Sequence, residues 1–303
     1  MKSDAADAYR ARPDSVTLRS NLMPVSMLYA SDVPTAAVTG AQATRAPTEL
    51  AQPAPPNPFN ISLYKPNYLI PYSYMTSPDR AVYAGHSPDG EQISHSEVQF
   101  QISLKVPVLA DIAKTRVSLY GAYTQTSFWQ AYNRSAFFRE SDYEPEVFLE
   151  YSWQRPLPGG WQWQLADLGF VHQSNGQGGT LERSWNRVYL SGTLVRQRWT
   201  VYLQAWHAIR GAGLLQHNPD ISRYLGYGKW RVTYHRGRQS FSLMSRNNLT
   251  SGFSRGAWKL SWSFPLVQKL NGYVQVFSGY GQSLLEYNHR TTAVGVGVAI
   301  KNW

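Results

Sequence analysis

The sequence predicts an all-β fold, a twelve-stranded antiparallel transmembrane β-barrel, and three observations carry that prediction. About twelve segments of alternating hydrophobicity follow residue 66. The connections between them alternate between short turns and longer polar links, as in barrels that cross a membrane. Tyr and Trp residues cluster towards the segment ends, for example in "WQW" at 161–163, where membrane interfaces favour them.

The predicted strands begin with the first periodic segment after the N-terminal stretch. The clearest is "VQFQISLKV" at 98–106, in which Val98, Phe100, Ile102 and Leu104 alternate with polar residues. The segments are 66–77, 93–106, 115–128, 143–155, 161–172, 185–195, 199–210, 222–235, 240–248, 255–264, 272–282 and 288–301. An even number of strands suits a barrel of bacterial outer-membrane type.

The connections support the same fold. "RPLPGG", "RQRW", "HRGRQS" and "FPLVQKLNG" are short turns, and we expect the longest of the polar links near 129–142. The chain also ends on an aromatic residue, Trp303, which is a habit of such barrels. The alternative, a soluble β-sandwich or lipocalin-like barrel, accounts poorly for twelve segments and alternating loop lengths.

Residues 1–58 differ in composition from the rest of the chain. "TAAVTGAQATRAPTELAQPAPPNPFN" is rich in Ala, Pro and Thr and poor in aromatics, which predicts a poorly ordered, flexible periplasmic segment. No apolar region of a secretory signal begins the chain. The chain is therefore either intracellular or a mature form whose leader has been replaced by a start Met. The barrel domain is predicted over 59–303.

Composition narrows the classes of partner. The 303-residue chain has no cysteine, so disulfides and thiolate chemistry are excluded. Its formal charge of +10 comes from scattered Lys and Arg rather than a dense basic run, which favours an anionic membrane surface over nucleic acid. "GQGG" at 176–179 leads into a strand and lacks the lysine of a phosphate-binding loop, so no nucleotide cofactor is expected.

The stretch "GFVHQSNGQ" at 169–177 contains the candidate catalytic residues. On a strand, residues of equal parity share a face, so His172 lies on the apolar face of Ala166, Leu168 and Phe170, and Ser174 joins it if the strand continues. In the next segment, Asn186 shares parity with an apolar stripe through Val188. The three polar side chains are thus predicted on the lipid-facing wall, where they are costly unless they pair.

These residue types form a nucleophile, a base and an orienting group. His172 would take the proton of Ser174 as the hydroxyl attacks an ester carbonyl, and Asn186 would accept the other imidazole N–H. The alternative is a solvated rim serine and histidine with no chemistry, because an isolated H-x-S motif has little specificity. A neutral asparagine stabilises an imidazolium weakly, so another positive group is expected to help.

Several stretches resemble outer membrane phospholipase A, an integral enzyme of Gram-negative bacteria. They are "NPF" (57–59), "NYLI" (67–70), "YTQTSFWQ" (123–130), "FRESDYEPEVFL" (138–149), "HQSNG" (172–176), "RSWNR" (183–187), "NPDISRYLGY" (218–227) and "YVQVFSGYGQSLLEYN" (273–288). The resemblance covers about 57–303. It implies a twelve-stranded barrel in the bacterial outer membrane, active at the outer leaflet, with Ser174, His172 and Asn186 as the triad.

The resemblance also implies a calcium ion beside the serine. The Gly176 N–H would then share the oxyanion with Ca²⁺, held by the Gln177 carbonyl, the position of Glu182 and Ser135 of the partner subunit. Glu182 replaces an expected serine, and a carboxylate is an oxygen ligand that suits Ca²⁺. Gly179 replaces an acidic residue, and the 129–137 loop is slightly short.

The function implied is calcium-dependent hydrolysis of acyl esters in glycerophospholipids and lysophospholipids, of phospholipase A1, A2 and lysophospholipase type, by a homodimer. Gln125 matches a polar residue near the family's dimer contact. One lipid-facing wall offers only half a cleft, so a second barrel is expected to complete it. The alternatives are a catalytically inactive structural or pore-forming barrel and a lipid acyltransferase.

Overall fold

The computed structural model describes residues 61–210, 215, 217–247, 249–267 and 270–300, so the predicted segment 1–58 lies outside the described residues. The elements are β1 (Ser62–Leu63), β2 (Tyr68–Met75), β3 (Ser96–Leu109), β4 (Val117–Gln130), β5 (Phe137–Leu157), β6 (Trp161–Ser174), β7 (Ser184–Arg196), β8 (Trp199–Ile209), α1 (Ile221–Leu225), β9 (Gly228–Arg236), β10 (Gln239–Asn247), β11 (Gly256–Val267), β12 (Leu270–Tyr280) and β13 (Arg290–Ile300).

Strands β2–β13 form a closed antiparallel barrel. Each strand pairs with the next along the chain, and β13 closes the cylinder by pairing with β2, with Ala293 opposite Met75. The two-residue β1 is an addition that pairs with β3. Closure satisfies the backbone groups of every strand and leaves no free edge. Among the described residues no helix is long and apolar enough to span a membrane.

The connections alternate in length as predicted from the sequence, with one exception, since 131–136 is shorter than 110–116. One end of the barrel carries 110–116, 158–160, 197–198, 237–238 and 268–269; we call it the short-turn end. The other end carries 76–95, 131–136, 175–183, 210–227, 248–255 and 281–289; we call it the long-loop end. In barrels of this type short turns face the periplasm.

Two boundary predictions were wrong. The longest link is not at 129–142, because β5 begins at Phe137, where it pairs with Gln130 of β4. The predicted strand at 222–235 begins only at Gly228, because 221–225 form α1, with Ile221 and Leu225 buried on one helical face. Gly226, at φ 75°, ends this helix. The helical spacing of these two apolar residues is the signal that the strand interpretation missed.

The two faces of the wall have opposite character. On β6, Leu168 is 54% exposed and points to the exterior, whereas Asp167 is 8% exposed and points to the interior. Aromatic pairs lie on the exterior near both ends, such as Trp129 with Phe138 and Trp199 with Tyr234. This is the arrangement of a barrel whose apolar band meets lipid between two aromatic girdles.

The interior combines apolar clusters, such as the one around Phe148 and Tyr189, with charged side chains. Acidic residues of one parity on β5 line it, namely Glu140, Asp142, Glu144, Glu146 and Glu150. Lys65 Nζ lies 2.7 Å from a Glu144 oxygen, and Lys105 Nζ lies 2.9 Å from a Glu150 oxygen. Pairing across the interior offsets much of the desolvation cost of these charges.

At the long-loop end the charges fix a loop. The Arg139 guanidinium binds Glu97 at 2.6 Å and Glu286 at 2.8 Å. Glu140 and Asp142 accept hydrogen bonds from backbone N–H groups in the 281–289 connection, at Leu285 and Leu284 respectively. This connection is therefore folded into the barrel mouth and held there by the charges of β5.

Candidate active site

The candidate triad lies at the long-loop end of two paired strands. His172 on β6 is the Cα partner of Asn186 on β7, and Ser174 is the partner of Ser184. The same parity on these strands carries the exposed side chains of Leu168 and Val188. His172, Ser174 and Asn186 therefore face the barrel exterior, as the alternation in the sequence predicts.

The imidazole of His172 is fixed by the neighbouring strand. Its Nδ1 lies 2.7 Å from Asn186 Oδ1, a distance at which the ring N–H donates to the carboxamide oxygen. That hydrogen bond places the proton on Nδ1 and leaves Nε2 free to accept. The arrangement is that of a base held in one tautomer by an orienting group.

Ser174 lies two positions beyond His172 on the same face, about 6.6 Å along the strand. Within the described part of the chain its hydroxyl makes no hydrogen bond to the histidine. Both side chains are half-buried, so neither is closed off from a ligand at the wall. Catalytic hydrogen bonds in a ligand-free site commonly tighten only when substrate binds.

Asn175 fixes the loop that follows the serine. It is buried, its Nδ2 donates to the Leu181 carbonyl at 2.8 Å, and its Oδ1 accepts from the Arg183 N–H at 3.0 Å. Its own N–H donates to the Arg183 carbonyl at 3.1 Å. These bonds close 175–183 into a defined loop.

Gly176 occupies a backbone conformation that favours glycine, with φ of 65°. A Cβ added there would approach Tyr143 Cε2 at 3.0 Å. The tyrosine ring therefore packs against the backbone of Gly176. Gly176 follows Ser174 by two residues, and its N–H is the oxyanion donor that the sequence predicts.

The interior face of the same strands carries a second set of contacts. Trp185 Nε1 donates to Gln173 Oε1 at 2.7 Å, and an Arg187 N–H donates to the same oxygen at 3.2 Å. The Arg187 guanidinium also stacks on Trp185, 4.1 Å from the ring centroid. Side chains on the interior thus tie β6 to β7 directly behind the triad.

A cluster of loop side chains supports the far end of the 175–183 loop. The Arg183 guanidinium lies 5.9 Å from the Tyr287 ring, and Tyr287 Oη donates to Asp220 at 2.7 Å. Burial, and then the hydrogen bond to the Asp220 carboxylate, raises the pKa of Tyr287 well above its ordinary value. Tyr287 therefore remains a protonated donor that links three connections.

The predicted calcium ligands lie in two places on one chain. Gln177 is exposed in the 175–183 loop, and the Glu182 carboxylate, with its side chain 45% exposed, lies 3.6 Å from His217 Nε2. Ser135, in the 131–136 connection, donates a hydrogen bond to Asp89 and makes no hydrogen bond with the described residues of the 175–183 loop. A carbonyl and a half-exposed carboxylate are oxygen donors of the kind Ca²⁺ prefers, so the loop fits this ion. Among the described residues no three His, Cys, Asp or Glu side chains cluster as a metal site.

Gln125 lies on the exterior of β4, in line with the serine. It pairs with Tyr143 of β5, which in turn pairs with Ser174 of β6, so the three residues form a row across adjacent strands. Gln125 Nε2 donates to Ser127 Oγ at 3.0 Å, and Ser127 and Ser141 hydroxyls lie 2.7 Å apart. A polar patch therefore adjoins the triad on the lipid-facing wall.

A family model described as phospholipase A1 matches residues 45–300. The chain belongs to the phospholipase A1 family. The phospholipase A1 of Escherichia coli strain K12 is 34% identical over 94% of this chain and 99% of its own length. A putative phospholipase A1 of Neisseria meningitidis serogroup B is 39% identical over 78% of this chain, and the match spans 64% of that longer protein.

Solved structures of phospholipase A1 relatives share the fold. The Salmonella typhi outer membrane phospholipase, crystallised as a dimer with bound calcium, is 34% identical, with a TM-score of 0.75 over 81% of this chain and 94% of that one. The Escherichia coli outer membrane phospholipase A is 34% identical, with a TM-score of 0.77 over 84% and 96%. Fold and family together make this phospholipase A1 relative a β-barrel of the outer membrane.

Sequence reasoning missed the residues that support the triad of this phospholipase A1 family member. Asn175 was read as part of a motif, but its role depends on hydrogen bonds to Leu181 and Arg183 across the loop. Tyr143 contacts Gly176 from a neighbouring strand. The alternation of acidic residues along β5 was a visible signal for the charged interior, whereas pairing with Arg139 depends on register.

Proposed function

We propose that this protein is a calcium-dependent phospholipase that hydrolyses acyl esters of glycerophospholipids and lysophospholipids. The observation that carries the proposal is the 2.7 Å hydrogen bond from His172 to Asn186, on the lipid-facing wall beside Ser174. Polar side chains on that wall are costly, and a catalytic role accounts for their presence. Membership of the phospholipase A1 family supports the same chemistry.

The proposed first step is acyl transfer to the enzyme. His172 Nε2 takes the proton of Ser174 as Oγ bonds to the ester carbonyl carbon, and the carbonyl oxygen becomes an oxyanion near the Gly176 N–H. The ester C–O bond then breaks, and the imidazolium returns its proton to the departing lysophospholipid oxygen. The fatty acyl group remains on Ser174.

Water completes the cycle. His172 takes a proton from a water molecule as the water oxygen attacks the carbonyl carbon of the acyl-enzyme. The proton then passes to the Ser174 oxygen as the fatty acid leaves. Asn186 keeps the imidazole in the accepting tautomer throughout. Its carboxamide carries no charge, so it stabilises the imidazolium less than a carboxylate would.

We assign the Gln177 carbonyl, the Glu182 carboxylate and the partner subunit's Ser135 as the groups that hold calcium. Bound Ca²⁺ supplies positive charge for the oxyanion. Glu182 supplies a carboxylate, and because its side chain is half-exposed, its oxygen lone pairs are accessible to a cation. The calcium-bound dimer of the Salmonella typhi relative supports this proposal.

The active form is proposed to be a homodimer that meets through the exterior of β4–β6. Gln125 is the proposed contact, and it lies in the same cross-strand row as Tyr143 and Ser174. A single exterior wall covers an acyl chain from one side only, so a second barrel would complete the groove. Exposed apolar residues on the same strand as the candidate triad, such as Leu168 and Phe170, would contact the acyl chain of the substrate.

The test is fatty-acid release from phosphatidylethanolamine micelles, with calcium and then with EDTA. Wild type is expected to release free fatty acid only with calcium, and Ser174→Ala is expected to release none. Ser245→Ala is a matched control, because Ser245 also lies near the long-loop end of an exterior stripe, on β10. No release by wild type in the presence of calcium would favour the inactive structural or pore-forming barrel, and release by Ser174→Ala equal to wild type would contradict the role of Ser174.

The same assay separates hydrolysis from acyl transfer to another lipid. Free fatty acid is the expected product if water is the acceptor, and a new acylated lipid would indicate a transferase. The ion pairs of Arg139 with Glu97 and Glu286 argue against an open pore, because they hold the 281–289 connection in the barrel mouth.

A further inference from the structure

An apolar groove lies on the exterior wall far from the triad, at the short-turn end of β5–β8. Its volume is about 410 Å³. The residues that line it are Leu157, Pro158, Trp161, Leu194, Val201 and Leu203. Strand register aligns four of them in two pairs, with Leu157 opposite Trp161 and Leu194 opposite Val201. The groove is open towards the hydrocarbon of the periplasmic leaflet.

Two arginines stand at the edge of this groove. Arg155 lines an adjoining cleft of about 300 Å³ with Trp153 and Trp163. The Arg196 guanidinium lies 6.0 Å from the ring centroid of Trp161, which lines the groove itself. Both arginines are exposed, and neither forms an ion pair with any residue that the structure describes.

Charge at this end of the barrel is strongly one-sided. The exposed basic residues on or beside the short turns are Lys114, Arg116, Arg155, Arg196, Arg198, Arg236 and Arg238. Asp111 is the acidic residue of the described turns there. A basic rim of this kind attracts anionic lipid headgroups, and the attraction is local because salt screens it within about 10 Å.

We propose that the groove and its two arginines form a binding site for an anionic phospholipid of the periplasmic leaflet. One acyl chain lies against Trp161, Leu194 and Leu203, and the phosphate binds Arg155 and Arg196. A guanidinium suits this role because its N–H groups bind phosphate oxygens in pairs. A zwitterionic lipid brings a cation to the same rim, so the site discriminates by headgroup charge.

This site is separate from the triad although it shares β6 and β7 with it. Trp161 and His172 are eleven positions apart on β6, which corresponds to about 36 Å of strand. The lipid bound here is therefore a resident of the opposite leaflet, out of reach of Ser174. The proposal does not depend on the catalytic assignment.

The test measures retention of lipid by native mass spectrometry of the detergent-solubilised full chain. All samples carry Ser174→Ala and EDTA, so that the probes, phosphatidylglycerol and phosphatidylcholine of equal chain length, survive whether or not the protein is a phospholipase. The Ser174→Ala protein without further substitutions, the parent, is expected to retain phosphatidylglycerol in preference to phosphatidylcholine. Arg155→Gln with Arg196→Gln is expected to reduce that preference about tenfold.

Two controls make the result specific. Arg236→Gln with Arg238→Gln removes the same charge from the same end of the barrel, at the end of β9 and in the 237–238 turn, and should leave the preference unchanged. Leu194→Trp should fill the groove and reduce retention with both arginines present, whereas Leu260→Trp, on the exterior of β11, should not. Equal retention of the two lipids by the parent, or an equal loss in both arginine pairs, would overturn the proposal.

Discussion

Gly176 and Gly179 share one loop and one backbone conformation but differ in their surroundings. Their φ values are 65° and 63°. A Cβ at Gly176 would lie 3.0 Å from Tyr143, whereas a Cβ at Gly179 would meet nothing within 4 Å. Alanine substitutions at the two positions therefore distinguish two effects. Both would strain the backbone, but only the substitution at Gly176 would displace the N–H beside Ser174.

We predict that Gly176→Ala reduces fatty-acid release by about 10²-fold or more, in the range seen when one oxyanion donor is lost. Gly179→Ala should retain most activity. Both should lose a similar stability, about 1 kcal/mol, because both force alanine into the left-handed region. Urea unfolding measures the shared cost, and kcat measures the difference. Equal activity in the two variants would contradict a role for the Gly176 N–H.

A second residue-scale prediction concerns the base. His172→Ala should lower kcat by about 10²–10⁴-fold, the usual contribution of a general base. His207→Ala is the matched control, since His207 is exposed on the exterior of β8, opposite Val188. Asn186→Ala should cost less than His172→Ala, because the imidazole remains but loses its orienting hydrogen bond. A variant of His172 with unchanged kcat would remove the catalytic assignment.

At the scale of the element, β5 joins the barrel wall to its loops. Its interior side chains pair with Lys65 and Lys105, and at the long-loop end Arg139 holds Glu97 and Glu286. The side chains of Arg139 and Glu97 are fully buried. Breaking such a pair leaves an uncompensated charge in the interior.

Arg139→Ala is therefore expected to lower the free energy of unfolding by about 3–5 kcal/mol. Adding Glu97→Gln and Glu286→Gln should restore part of that loss, because the stranded charges are then removed. Arg198→Ala, at an exposed arginine on a short turn, should change stability by less than about 0.5 kcal/mol. Urea titration of barrels in lipid vesicles measures all of these. A neutral Arg139→Ala would show that the network does not stabilise the barrel.

The sequence predicted the elements better than their contacts. Period-two alternation located the strands and placed His172, Ser174 and Asn186 on one face, because side-chain direction follows parity alone. The early start of β5 was missed because it depends on pairing with β4, and the helix at 221–225 was missed although the spacing of Ile221 and Leu225 indicates a helical turn. The interior pairs of Arg139 were also beyond the sequence, because they require the register of strands far apart along the chain.

At the scale of the whole molecule, assembly is the feature to test. We predict that cross-linking detects dimers when calcium and a sulfonyl acyl inhibitor are both present, and that Gln125→Ala reduces the dimer fraction and activity together. Gln275→Ala, at a buried interior position of β12, is a control that leaves the exterior unchanged. An equally active monomer would contradict the requirement for a second barrel.

The row that runs from Gln125 through Tyr143 to Ser174 sets a short length scale. Two strand spacings separate its ends, or about 10 Å. A second barrel that contacts the Gln125 carboxamide would therefore lie within the length of a side chain from the Ser174 hydroxyl. It would form part of the cleft without any further movement. In the proposed dimer, activation then needs only the lateral encounter of two barrels in the bilayer, without a conformational change transmitted through the strands.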